Sequence, residues 1–247
     1  MRSLILVLLP NLLLAAEPDP LLPLIRQRIS DWRRELPDFL CTQESTFDQG
    51  NRGRGIRMSD SAFYEIRVVR GRESYVLRSV AGIDIKANQL EPVDLAGMNH
   101  RGEFSSALLL LFDAPTKTLF HRADRERVDG RRLRRYDFKV RQENSQWYVG
   151  PGAAYQPAYE GSFWADEADG KVYRLHMEAH QFPRKYVVQD AWLTVTYSTV
   201  SIEGEPFLMP AQAEVRACHT LMDCSHVYMK FTDYRHFTAT SKVDFKD

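Results

Sequence analysis

Most of the chain shows apolar and polar residues in alternation, a pattern that predicts β-strands with one face toward a core. The clearest case is the stretch 159–181. In its first half, one set of alternate positions is aromatic or small, namely Tyr159, Gly161, Phe163 and Ala165. In its second half, the corresponding set is Tyr173, Leu175, Met177 and Ala179, opposed by Val172, Arg174, His176, Glu178 and His180. Residues 166–170 contain an Asp-Gly pair that tolerates positive φ, so we expect them to close a hairpin.

Similar alternation predicts a long series of further strands. They fall at residues 39–47, 61–70, 73–80, 118–128, 133–142, 146–149, 191–202, 206–217, 227–234 and 239–245. Glycines and arginines predict an exposed loop at 48–57, and residues 81–101 have an irregular pattern. The series indicates a continuous antiparallel meander in a single domain.

Two segments have helical spacing instead. Residues 19–36 place apolar side chains on one stripe, and Pro37 then ends the helix because proline cannot continue the hydrogen-bond ladder. Residues 103–113 are apolar nearly all round and too short to cross a membrane, so we expect this helix to be buried. The fold class that follows is mainly antiparallel β, an open half-barrel wrapped around the buried apolar helix.

Residues 1–16 resemble a secretory signal peptide. Arg2 supplies a positive start, an apolar run follows, and Leu14-Ala15-Ala16 offers small residues for cleavage after Ala16. We therefore expect export to the periplasm or the medium, a single domain over residues 17–247, and no stable membrane span after cleavage.

Charge balance argues against a nucleic-acid partner. The chain has 33 basic and 33 acidic residues, which gives no overall attraction for a polyanion.

The three cysteines suit an oxidising compartment. Cys218 and Cys224 stand on the two arms of a predicted hairpin, and we interpret them as a disulfide across its tip. The alternative is a zinc site that adds His219 and His226. Cys41 is then left over, and we expect a buried small hydrophobic residue rather than a reactive thiol.

Catalytic motifs are missing from the sequence, which has no nucleophile elbow, phosphate loop or zinc-protease motif. His176 and His180 are separated by about 13 Å on a strand, too far for easy shared coordination of a metal. We interpret the acidic residues of the 159–181 hairpin as ordinary surface. The expectation is a non-enzymatic protein with no metal and no cofactor.

A basic group flanks the turn at Asp129-Gly130. In the simplest interpretation, this group lies on a solvent-exposed hairpin and its arginines pair with nearby acidic residues. The functional interpretation is a docking patch for an acidic envelope protein or an anionic headgroup, formed by Arg131, Arg132, Arg134 and Arg135.

The order of elements, and the segments 36–41, 159–166, 207–210 and 231–237, resemble the LolA/LolB-type lipoprotein-carrier fold and uncharacterised secreted bacterial proteins of that type. In that fold an unclosed barrel wraps helices and holds acyl chains. The chain lacks the lipidation cysteine of the outer-membrane receptor branch, so the resemblance implies a soluble periplasmic protein.

The resemblance implies an apolar groove that binds a lipid, a lipoprotein acyl chain or another hydrophobic ligand. Its candidate lining is Phe104, Leu108, Leu111, Phe112, Phe163, Tyr173, Leu175 and Leu193. The same side chains could equally fill the space completely and form an ordinary core. A non-catalytic carrier is the first hypothesis, an interaction module docking through the basic hairpin is the second, and a hydrolase has least support.

Overall fold

The structure is a computed structural model that describes residues 19–51, 55–85, 106–150, 155–220 and 223–237. The signal peptide, Phe104 and the predicted strand 239–245 lie outside these residues. The helices are α1 (Leu21–Glu35) and α2 (Ser106–Phe112), with short 3₁₀ turns at Ala114–Thr116 and Gln142–Asn144. The strands are β1 (Phe39–Asn51), β2 (Gly55–Val69), β3 (Arg72–Val80), β4 (Ile83–Asp84), β5 (Leu119–Val128), β6 (Arg131–Val140), β7 (Ala158–Ala165), β8 (Val172–His180), β9 (Asp190–Ile202), β10 (Glu205–Thr220) and β11 (Asp223–His236).

The described strands form one antiparallel sheet that does not close. Its order is β4-β3-β2-β1-β11-β10-β9-β8-β7-β6-β5. Every neighbouring pair is consecutive in the chain except β1 and β11, which join the first strands of the sheet to the last. Within the described chain, β4 and β5 lie at the two edges, so the segment between Asp84 and Leu119 leads from one edge to the other. The predicted open half-barrel is thus the observed architecture.

Helix α1 covers the inner face of this half-barrel. Leu21, Ile25 and Ile29 recur every four residues, which puts them on one stripe, and all three are buried against the sheet. The helix ends as predicted, because Leu36 is already extended (ψ 119°) before Pro37.

Helix α2 also packs on the inner face but is not buried on all sides. Ala107, Leu108 and Leu111 are buried, whereas Leu109, Leu110 and Phe112 are only partly so. The sequence predicted that this apolar helix would be buried on all sides. That prediction holds only for the residues that pack into the core. Arg26 of α1 covers part of the less buried side of α2, since its guanidinium carbon lies 5.7 Å from the centre of the Phe112 ring.

Two predictions of secondary structure are wrong. The loop expected at 48–57 is largely strand, because β1 continues to Asn51 and β2 begins at Gly55. The strand expected at 146–149 does not form, and only a single bridge joins Val149 to Tyr155.

A β-bulge at the start of β8 corrects the face assignment of Tyr173. Trp164 pairs with Arg174 and Ala165 pairs with Val172, which leaves Tyr173 as the extra residue. Val172 therefore takes the buried inner position, and Tyr173 lies under the guanidinium of Arg131, 4.5 Å from its carbon to the ring centre. Strict alternation places Tyr173 on the same face as Leu175. The extra residue of the bulge makes that prediction wrong for Tyr173.

The turn between β7 and β8 supports α1. Gly170 has φ +74°, and a Cβ atom there would lie 2.9 Å from Leu24 Cγ and 3.3 Å from the Ile25 backbone nitrogen. Arg28 Nε donates a 3.0 Å hydrogen bond to the Asp169 carbonyl oxygen. Gly170 is required both by its backbone conformation and by the close approach of the helix.

We expect Gly170→Ala to destabilise the protein by about 3 kcal/mol, because it adds a clash with α1 to the cost of a positive φ. Gly130→Ala is the matched control: Gly130 has φ +79° with no atom within 4 Å of an added Cβ. This control should lose about 1 kcal/mol from backbone strain alone. Urea unfolding measures both, and equal losses would show that α1 does not press on the turn.

Candidate functional site

A cavity of about 150 Å³ lies under the second half of α1. It is bounded by α1, by α2, by the β7–β8 turn and by the start of β10. Its apolar walls come from Ile29, Trp32, Leu108, Val172, Phe207 and Leu208. A cavity of similar volume with apolar walls can bind a benzene-sized molecule, so the space is large enough for a small apolar group.

Local structure explains how these walls come together. Ile29 and Trp32 are three residues apart on α1 and so project from the same side of the helix. Val172 faces inward because of the bulge at Tyr173. Phe207 and Leu208 follow the tight β9–β10 turn, in which Gly204 has φ +89°. Both remain partly exposed at the mouth of the cavity.

One side of the cavity is polar and carries both signs of charge. Arg28, Asp31, Glu35 and Lys171 line this side. Lys171 Nζ lies 3.2 Å from Asp169 Oδ2, and Asp31 accepts a 2.8 Å hydrogen bond from Gln27 Nε2. The rim is therefore held in place by its own ion pairs and hydrogen bonds.

The indole ring of Trp32 carries a polar atom that is shielded from solvent. Its Nε1 is buried and meets no hydrogen-bond acceptor among the residues that the structure describes. Leaving a buried donor unsatisfied costs about 1–3 kcal/mol.

The structure brings most of the predicted groove residues together, but as solid core. Leu111, Phe163, Leu175 and Leu193 are each at most 2% exposed and pack with one another in the main cluster. Phe112 stacks on Phe120, with ring centres 5.1 Å apart. Tyr173 lies on the outer face, and Phe104 is outside the described residues. Of the predicted set, only Leu108 lines the cavity.

Sequence reasoning missed the other wall residues. The spacing of Ile29 and Trp32 on α1 and the Phe207-Leu208 pair are signals that could have been used. Val172 could not have been found, because its orientation depends on a bulge that alternation does not reveal.

A second depression, of about 870 Å³, lies on the outer face of the sheet. Its walls are mainly charged or hydroxyl side chains, among them Glu44, Thr194, Thr196, Glu214 and Lys230. An apolar ligand would gain little there, because the surface it covers already interacts well with water. The smaller inner cavity is therefore the better candidate for a hydrophobic ligand.

The four arginines of the predicted docking patch do not form one surface. Side chains alternate along β6, so Arg132 and Arg134 point to the face opposite Arg131 and Arg135. Arg134 Nη2 lies 2.7 Å from Glu167 Oε1, and Arg135 pairs with Glu126 and Asp137. The charges of Arg134 and Arg135 are thus largely used within the fold.

Glu167 is the centre of an ion cluster that ties the β7–β8 turn to β5 and β6. Arg125 Nε lies 2.6 Å and Arg134 Nε 2.8 Å from its carboxylate oxygens. Partial burial works against ionisation of Glu167, but the hydrogen bonds from Arg125 and Arg134 outweigh it and lower its pKa to about 2. The cluster holds the turn that supplies Lys171 and Val172 to the cavity.

The cysteine predictions have a clear outcome. Cys218 and Cys224 form a disulfide between paired positions of β10 and β11, which uses the thiolates that a zinc site would need. Cys41 is a buried free cysteine, and burial raises the pKa of its thiol well above the usual range. A thiol in this state is a poor nucleophile, as expected for a small core residue.

The histidines singled out by sequence have ordinary partners. His176 Nδ1 lies 2.8 Å from Thr194 Oγ1, and His180 Nε2 lies 3.5 Å from Glu160 Oε1. Across the described chain, no three His, Cys, Asp or Glu side chains are grouped closely enough to hold a metal ion. In the same residues, neither helix has the length and apolar character needed to cross a bilayer.

No protein-family model matches the chain, and no curated protein matches its sequence. Three similar solved structures extend over nearly the full length of both chains. A LolA superfamily protein from Nitrosomonas europaea is 10% identical, covering 87% of this chain and 93% of its own (TM-score 0.41). A DUF1329 family protein from Desulfovibrio piger is 13% identical, covering 91% and 96% (TM-score 0.45).

The third similar structure is a domain from Vibrio parahaemolyticus assigned to outer membrane lipoprotein sorting, 14% identical, covering 87% and 93% (TM-score 0.40). The resemblance to LolA-type proteins in the sequence thus recurs among the similar structures. These likenesses concern the fold and identify no residue of the cavity.

We expect Glu167→Gln to lower the free energy of unfolding by about 1 kcal/mol at pH 7, because the neutral amide pairs poorly with Arg125 and Arg134. The folded pKa lies below the ordinary 4.5, so the stabilisation is complete above pH 4.5 and is lost as the pH falls toward about 2. Denaturation midpoints across this range should converge for the two proteins. Exposed Glu205→Gln serves as control, and a difference that persists unchanged at pH 2 would contradict the assignment.

Proposed function

We propose that the protein is an exported, non-catalytic carrier that binds the apolar chain of a lipid or lipoprotein in the cavity under α1. The observation that carries the proposal is the cavity itself, about 150 Å³ with mostly apolar walls and one polar side. Export rests on the signal-like residues 1–16, and it would place the protein in the compartment where lipoproteins travel.

The size of the cavity limits how much of a ligand it can hold. About six carbon atoms fit a space of this volume, and burying them contributes about 5 kcal/mol before the costs of binding. Micromolar affinity needs about 8 kcal/mol. The rest must come from the polar side or from apolar contacts at the mouth, where Phe207 and Leu208 are partly exposed.

The polar side suits the head of such a ligand. Arg28 and Lys171 offer positive charge at the rim. A carboxylate or ester oxygen could accept from these groups while its chain fills the apolar part. Fatty acids and acylated headgroups have this combination.

Docking through the β5–β6 arginines is less well supported, because those side chains are divided between two faces of the strand.

The first test of the carrier proposal is chemical: protein purified from its native compartment is extracted with organic solvent, and bound lipids are identified by mass spectrometry. Acyl-chain lipids at a fixed ratio to protein support the proposal.

We expect Leu208→Trp to abolish most binding of a fluorescent fatty acid, because the larger ring fills the cavity. Leu119→Trp is the matched control, since Leu119 is 59% exposed on β5 and does not line the cavity. The loss should be tenfold or more for the first variant, about the value of two buried methylenes, and negligible for the second. Unchanged affinity of a folded Leu208→Trp protein would place the ligand elsewhere.

A further inference from the structure

The loops between β6 and β7 and between β8 and β9 form a second distinctive surface, which we call the aromatic tip. Antiparallel neighbours bring these loops to the same end of the sheet. The members of the tip are Trp147, Tyr148, Tyr155, Phe182, Tyr186 and Val187. Tyr148 is 54% exposed and Val187 is 47% exposed, which makes them two of the most exposed large hydrophobic residues described.

Hydrogen bonds join the two loops of the tip. Tyr186 donates a 2.7 Å hydrogen bond from its hydroxyl to the Val149 carbonyl oxygen, and Tyr155 donates one of 2.7 Å to the Gln181 carbonyl oxygen. A Cβ atom on Gly150 would clash with the Tyr186 hydroxyl. Each loop thus donates a tyrosine hydrogen bond to the backbone of the other.

The tip also has its own small core and its own ring contacts. Val149, Val188, Ala179 and Ala191 form a buried cluster separate from the main core. The rings of Tyr155, Phe182 and Tyr186 lie with their centres 5.1–6.0 Å apart. Apolar contacts beneath the tip therefore support aromatic residues above it.

The charge of the tip differs from that of the whole chain. The described loop residues 141–150, 155–157 and 181–189 contain three basic residues, Arg141, Arg184 and Lys185, against one acidic residue, Glu143. The local balance is therefore +2, whereas the whole chain is neutral. Arg184 and Lys185 are both exposed, directly beside Tyr186 and Val187.

We propose that the aromatic tip is a contact site for the surface of a bilayer containing anionic phospholipids. Tyrosine and tryptophan rings favour the boundary between headgroups and acyl chains, where an apolar body and a polar end are both satisfied. Arg184 and Lys185 attract the negative surface, and Tyr148 and Val187 supply apolar area that enters the headgroup layer. An ordinary protein partner would not require anionic lipid, which separates the two possibilities.

This site is independent of the cavity. Strand β8 runs from Val172, in the cavity wall, to His180, next to the tip, and eight steps of a strand span about 26 Å. Variants at the tip therefore leave the cavity intact, and a failure of one proposal is distinguishable from a failure of the other.

The test is sedimentation of the mature chain with phosphatidylcholine vesicles, with and without about one-third phosphatidylglycerol, at low and high salt. Wild type should bind the anionic vesicles at low salt and be released at high salt. Arg184→Glu with Lys185→Glu should reduce partitioning about 30-fold or more, since each basic residue near the surface contributes roughly fivefold. Tyr148→Ser with Val187→Ser should also reduce it, at both salt concentrations.

Two matched controls accompany these variants. Arg131→Glu with Arg132→Glu makes the same charge change on the β5–β6 hairpin, and Leu119→Ser with Ile83→Ser removes two exposed hydrophobic residues from the edge strands. Both controls should bind like wild type, and circular dichroism should show all variants folded. Failure of wild type to bind anionic vesicles, or an equal loss in the controls, overturns the proposal.

Discussion

The packing of α1 onto the inner face of an unclosed sheet is the contact on which the rest of this structure depends. A curved antiparallel sheet with two edges cannot bury its inner face by itself, and the stripe of Leu21, Ile25 and Ile29 supplies the missing layer. The helix is positioned by Gly170 beneath it and by Arg28 on the Asp169 carbonyl. Its second half then roofs the cavity.

Ion pairs and hydrogen bonds between side chains join the β7–β8 turn and the start of α1 to neighbouring strands. Glu167 gathers Arg125 and Arg134, and Asp19 accepts a hydrogen bond from Tyr136 near the start of α1. These contacts join the β7–β8 turn and the helix start to β5 and β6, at one edge of the described sheet.

The cavity and the aromatic tip lie at opposite ends of the same strands. One is small, inward and mostly apolar, and the other is exposed, aromatic and basic. A carrier needs both a place to shield an apolar chain from water and a place to meet the structure that delivers or receives it. The two proposed sites share no residue.

Much of this architecture follows from sequence because alternation and helical spacing are local properties. The hairpin around Asp169-Gly170, the stop of α1 at Pro37 and the pairing of Cys218 with Cys224 were all predictable from neighbouring residues. The open half-barrel followed from the number of strands and one apolar helix. The sequence alone also indicated a carrier class through resemblance, without locating its site.

Tertiary structure alone decided which apolar residues are core and which are walls. Leu111, Phe163 and Leu193 look as suitable for a groove as Leu208, but they are packed solid, whereas Leu208 borders open space. The bulge at Tyr173 reversed one strand end, and the pairing of β1 with β11 joined residues far apart in the chain. Such features depend on how distant elements fill space together, which no local pattern records.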